Sequence, residues 1–149
     1  MSAEIIRGAV HRACRLLDAE DWDAFLALCA PGFVYQVTAF SPEIRQEMIW
    51  FDQDLDGLKA LFEMVPQHLR RIGSLLRHVS VGEIDRQADG TWQAISTFQC
   101  FHTDHDGRSH ILAVGRYSDV LSADAVPLLL SRTTRLETRD LGVGSHVPI

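Results

Sequence analysis

Four long β-rich runs follow one another through the second half of the chain. They constrain its fold more than any other feature. LLRHVSVGEID begins at Leu75, TWQAISTFQCFHTDH at Thr91, SHILAVGRYSDVL at Ser109 and PLLLSRTTRLETR at Pro127. Each is rich in β-branched, aromatic and aliphatic residues and is bounded by turn signals. Ala88-Asp89-Gly90 and Asp106-Gly107 mark the first two turns, and Ser122 to Val126 the third.

The first half reads differently. Ile5, Ile6, Ala9, Val10, Ala13, Cys14 and Leu17 recur at three and four, which predicts an amphipathic helix from Ala3 to Asp18. A short second helix is expected after Asp21 as N-cap, burying Trp22, Phe25, Leu26 and Cys29 and ending at Pro31-Gly32. FVYQVTAF, from Phe33, reads as a strand, and Ser41 to Asp52 as a connecting segment. Asp54 then caps a third helix with Leu55, Leu58, Leu61, Phe62 and Val65 on one face, closed by Pro66.

Helices followed by a meander of long strands predict an α+β domain with the helices on one face of a curved antiparallel sheet, a cone with a closed-off interior. Gly82 and Gly115 fall mid-strand, where glycine marks a bulge or a sharp bend. A length of 149 residues suits one domain, 1–149. No apolar run reaches the ~20 residues of a membrane span, and the N-terminus lacks the unbroken apolar core of a signal peptide. A cytoplasmic protein is expected. The net charge of −6 disfavours nucleic-acid binding. Cys14, Cys29 and Cys100 form no CxxC or zinc spacing, and no disulfide is expected.

FHTDHDGRSHI, Phe101 to Ile111, gathers three histidines and two aspartates, the ligand types of an iron or zinc site. With a two-residue turn at Asp106-Gly107, His105 and His110 share one face and His102 and Asp104 the other. Three histidines then cannot converge, and the stretch reads as a hairpin tip. Cys100-x-His102 is half of a Rieske pattern, but no later cysteine supplies the other half.

Among the strands, His78 shares a face with Leu76, Ser80 and Gly82. A histidine facing a cone interior is a candidate general base, or else a hydrogen-bonded core or interface residue. Arg77 is expected on the opposite side, towards solvent or a neighbouring subunit. Arg116 shares its face with Leu112, Val114 and Val120, so it needs a charged partner from another element or another chain. Asp119 lies on the face opposite Arg116, near the end of its strand. Tyr35 is a candidate hydrogen-bond donor or a core residue. Glu83, Asp85 and Asp119 all read as lying outside the apolar interior, where burial would raise a carboxylate's pKa for base work. No GxGxxG, P-loop, GxSxG, HExxH or CxxC is present, and Gly142-Val143-Gly144 precedes no helix.

Several of these stretches resemble one family. LLDAEDWDAFLALCAPGFVYQVTAF resembles the opening of the small (β) subunits of Rieske-type aromatic-ring-hydroxylating oxygenases. LLRHVSVGEI is similar to that family's Arg-His strand, at Arg77 and His78, and AVGRYSDVL to its Gly-Arg-x-x-Asp-x-Leu strand, at Gly115, Arg116, Asp119 and Leu121. The resemblance implies an NTF2-like, SnoaL-like (cystatin-like) cone that assembles with a larger α subunit, commonly three of each. It implies no cofactor in this chain. The Rieske 2Fe-2S cluster and the mononuclear iron would sit in the large subunit, and Arg77, His78, Arg116 and Asp119 would serve structure or interfaces. A homo-oligomer is expected when the chain is alone, with the glycine-rich tail lying across a partner. SPEIRQEMIWFDQD and the missing tryptophan before the last strand set the chain on an outlying branch, where substrates include alkanesulfonates. The alternative is a stand-alone isomerase or dehydratase of the same fold, with His78 or an aspartate as base and Tyr35 as donor.

Overall fold

A computed structural model describes residues 2–67, 73–142 and 147–149. Helix α1 (Ala3–Asp18) buries Ile6, Val10, Ala13, Cys14 and Leu17, the stripe that its periodicity predicts, although Ile5 is exposed. Helix α2 (Trp22–Ala27) starts at Asp21, whose side chain accepts from the Ala24 amide at 3.2 Å. Helix α3 (Leu55–Met64) starts at Asp54, which accepts from the Gly57 amide at 2.8 Å. Both carboxylates satisfy a first-turn N–H that the helix itself leaves without a partner. Trp22 stacks on Phe62 with ring centroids 4.6 Å apart, and this contact joins α2 to α3.

Six strands form one curved sheet in the order β2-β1-β6-β5-β4-β3. They are β1 (Cys29–Ser41), β2 (Gln46–Asp54), β3 (Ser74–Arg86), β4 (Trp92–Thr103), β5 (Ser109–Leu121) and β6 (Leu129–Leu136). Three features differ from the sequence reading. Cys29, Pro31 and Gly32 belong to β1, since α2 ends earlier than expected. The expected connecting segment contains β2, an edge strand with no fully buried residue. The ladder between β1 and β6 is parallel, while the other four are antiparallel.

The two mid-strand glycines do different things. At Gly82 the β3–β4 register slips between Val81 and Ile84, so the glycine sits at a bulge. Gly115 keeps its register opposite Leu136, but a Cβ there would run into the Arg135 carbonyl. It allows two backbones to approach closely.

All three helices cover the same face of the sheet. The inward positions are Phe33, Tyr35, Val37 and Ala39 on β1, and Arg132, Thr134 and Leu136 on β6. On β5 they are Ala113, Gly115, Tyr117, Asp119 and Leu121, on β4 Ala94, Ser96, Phe98 and Cys100, and on β3 Arg77, Val79 and Val81; all of these are buried. Among the described residues, no helix lies on the other face.

Candidate functional site

The cone interior contains charges as well as hydrocarbon. Strand register places Asp119 of β5 directly across from Arg132 of β6. The guanidinium makes a forked pair with the carboxylate, Nε to Oδ1 at 2.7 Å and Nη2 to Oδ2 at 2.9 Å. Both side chains are completely buried. Arg132 also lies over the Tyr117 ring, 4.2 Å from its centroid, and that ring stacks on Phe98 at 4.2 Å. Burial disfavours the charge on Arg132, but the carboxylate beside it outweighs burial and holds its pKa well above the ordinary arginine value. Asp119 lies near the end of β5, as expected, but it is a buried carboxylate, contrary to the expectation that it lies outside the apolar interior. Both of its carboxylate oxygens accept from Arg132.

A second buried arginine stands on β3. The sequence reading put His78 inside and Arg77 outside, and the structure reverses them. Arg77 is 6% exposed and His78 is exposed. Arg77 Nη1 donates to Asp18 Oδ1 at 2.7 Å, Nη2 donates to the Pro148 carbonyl, and the Arg77 amide donates to the same aspartate at 3.1 Å. Asp18 ends α1, so this pair joins the helix to the edge of the sheet. Neither partner is near Arg77 in sequence, and local alternation could not identify them. Leu76, the apolar residue that suggested the opposite face, is 60% exposed.

Tyr35 is buried, and its hydroxyl accepts from the Ile149 amide at 3.1 Å. His78 lies on the outer face, in a shallow groove with Ser80, Thr97 and Gln99. The structure therefore does not bring His78 and Tyr35 together as base and donor; the sheet separates them. Arg116 does not face an apolar interior either. It is exposed and donates to Glu137 at 2.8 Å. The tail does not lie wholly on the surface, since Val147, Pro148 and Ile149 are buried in the chain's own cone. Val143 and Gly144 of the Gly-Val-Gly motif lie outside the described residues.

The histidine-rich hairpin has a longer turn than expected. Asp104 to Arg108 form the loop, closed by Asp104 N to Arg108 O at 2.9 Å. A register shift after Cys100 sets His102 opposite His110, with ring centroids 5.0 Å apart. His105 remains exposed beside Asp106. Among the described residues no group of three or more histidine, cysteine or acidic side chains is placed to hold a metal ion.

The buried thiols and phenols carry a clear electrostatic signature. Burial raises the pKa of Cys14 and Cys100, pushes Cys29 up to about 12, and raises Tyr35 and Tyr117. In the unfolded chain such groups ionise at about 8.5 and about 10 respectively. Folding holds them protonated, so their contribution is fully present below the unfolded values and is lost as pH rises above them. The urea midpoint is expected to fall between neutral pH and about pH 10, and a midpoint that does not move contradicts the assignment.

The sequence and the fold match known proteins along most of the chain. A family model described as the SnoaL-like domain matches residues 2–132. The chain belongs to the SnoaL-like domain family. Within the SnoaL-like proteins it is 38% identical to the methanesulfonate monooxygenase hydroxylase subunit beta of Methylosulfonomonas methylovora, over 99% of this chain and 87% of the relative. It is 33% identical to the 2-aminobenzenesulfonate 2,3-dioxygenase subunit beta of Alcaligenes sp, covering 90% of each. Among solved structures, one described as the β subunit of an aromatic-ring-hydroxylating dioxygenase from Novosphingobium aromaticivorans superposes with a TM-score of 0.84. It shares 18% identity over 98% of this chain and 95% of that one.

Proposed function

We propose that this chain is the non-catalytic β subunit of a multicomponent oxygenase that acts on an organosulfonate. In this reading it assembles in the cytoplasm with a larger α subunit, three of each, and the α subunit holds the Rieske cluster and the mononuclear iron. Both curated relatives are β subunits of enzymes named for sulfonates, and this supports the substrate class.

The observation that carries the reading is the bare outer face of the sheet. From β1 to β3 its outward positions carry Val34, Thr38, Phe40, Thr133, Ser118, Val120, Ile95, Thr97 and Leu76. Among the described residues on these five strands, the charged outward side chains of the central region are Arg116 and Arg135, paired with Glu137 at 2.8 Å and Glu47 at 2.6 Å. A broad, mostly uncharged face with its few charges neutralised suits burial against another protein. The two buried arginines are each paired with an aspartate, Arg77 with Asp18 and Arg132 with Asp119.

Co-purification tests this. The tagged chain is expressed in its native host and captured, and the eluate is assayed for iron, for visible iron–sulfur absorption and for oxygen uptake with methanesulfonate or 2-aminobenzenesulfonate. A larger, iron-bearing chain in equal amount is the expected result. Recovery of a metal-free chain without a larger partner overturns the reading.

A further inference from the structure

Charges on the outer face of the sheet are grouped rather than scattered. Arg116 of β5 stands directly across the ladder from Arg135 of β6, with Thr97 of β4 and Thr38 of β1 on the same rung. Like charges placed directly opposite on a sheet repel. Each arginine is held by its own carboxylate, Arg116 by Glu137 at 2.8 Å and Arg135 by Glu47 at 2.6 Å. Glu47 stands opposite Phe40, and the Glu137 amide donates to the Val114 carbonyl, so both carboxylates belong to the rung on one side of the arginines. On the other side Ser118 stands opposite Thr133. An open groove of about 380 Å³ has both arginines, these two hydroxyl residues, Thr38 and Glu47 among its walls.

We propose that Arg116 and Arg135 together seat one acidic side chain of the larger subunit. This rests on the reading of the outer face as the surface that meets that subunit. Each guanidinium has five N–H donors, more than one carboxylate can engage. Covering the face removes the water that the remaining donors use in the free chain, and a buried charge without a partner is costly. The partner must therefore bring an acceptor to this rung. A carboxylate offers two oxygens, one for each guanidinium, and its charge offsets the repulsion between them. A backbone carbonyl offers one oxygen and no net charge. A basic side chain would add to the repulsion. A free anion would gain little, because the arginine side chains are 52% and 50% exposed and water screens them. Only a macromolecule that covers the groove excludes that water.

The test uses the complex captured with the tagged chain, diluted in steps to obtain its Kd at low and high salt. Arg116→Gln/Arg135→Gln is expected to raise Kd about thirtyfold or more, as for loss of a buried hydrogen-bonded charge, and to flatten its salt dependence. Arg116, Arg135, Glu47 and Glu137 are all exposed, so the free variants should keep the parental circular-dichroism spectrum and urea midpoint. The double variant also strands Glu47 and Glu137, so a quadruple variant that adds Glu47→Gln and Glu137→Gln decides. It should bind as weakly as the double variant, since the stranded charge is then the partner's. A parental Kd in the double variant, or its recovery in the quadruple, overturns the seat and leaves the outer face as the docking surface. Weakened self-association of the chain alone, with an unchanged Kd for the larger subunit, overturns the assignment to that subunit. A parental chain that captures no larger subunit fails the subunit reading itself, and the proposal with it.

Discussion

Asp119→Ala is expected to destabilise the chain by about 3–5 kcal/mol, the cost of leaving one member of a buried ion pair without the other. Arg132 would keep its charge in a space that excludes water, having lost both arms of its fork. The aromatic face of Tyr117 would remain beneath it, and a ring quadrupole compensates only part of the loss. The double variant Asp119→Leu/Arg132→Met provides the comparison. It removes both charges and approximately conserves volume, so it should recover most of the stability. Urea unfolding followed by circular dichroism measures all three chains. A single variant within about 1 kcal/mol of the parent would mean that the pair is hydrated or open in solution. A double variant as unstable as the single would place the cost in packing rather than in the stranded charge.

Gly115→Val gives the second large effect. The first added carbon would meet the Arg135 carbonyl and the Leu136 Cα, both backbone atoms of the neighbouring strand. Backbone cannot rotate aside as a side chain can, so β5 and β6 would have to separate where they are hydrogen-bonded. Overpacking of this kind costs about 1–3 kcal/mol, and valine falls at or beyond the upper end. Gly8→Ala is the internal control, because nothing lies within 4 Å of the added carbon. Alanine in that exposed helical position should stabilise by up to about 1 kcal/mol. Opposite signs in the urea midpoints are the expected outcome. A neutral Gly115→Val would show that the two strands do not pack as closely as described.

The elements governed by local rules were legible in the sequence. The stripe of α1 and the caps at Asp21 and Asp54 need only residues within a turn or two of one another. The four long β runs were legible for the same reason. Strand β2 was not, because an exposed edge strand has no buried face to impose alternation, and GluMetIleTrpPhe reads as an irregular apolar stretch. The faces of β3 and β5 were ambiguous because both sides of each carry apolar residues. Leu76 pulled the reading of β3 outward, and the small inward pair Ala113 and Gly115 weakened the true signal on β5. The interior charges were hidden for a different reason. Asp119 finds Arg132 only through strand register, and Arg77 finds Asp18 and Pro148 only through the folded cone. The hairpin register depended on a shift after Cys100 that no turn residue announces.

The parallel ladder between β1 and β6 has a consequence for how the chain is made. Val34 pairs with Ser131, so the sheet joins the first of its described strands to the sixth. The β1–β2 hairpin can form early, but its open edge has no neighbour until β6 leaves the ribosome. Through that interval Met48, Ile49 and Trp50 are exposed beside an unpaired strand, a combination that invites aggregation. Contacts so distant in sequence also slow folding. The yield of soluble protein is therefore expected to depend on the delay before β6 arrives, and slower growth or chaperone supply should raise it.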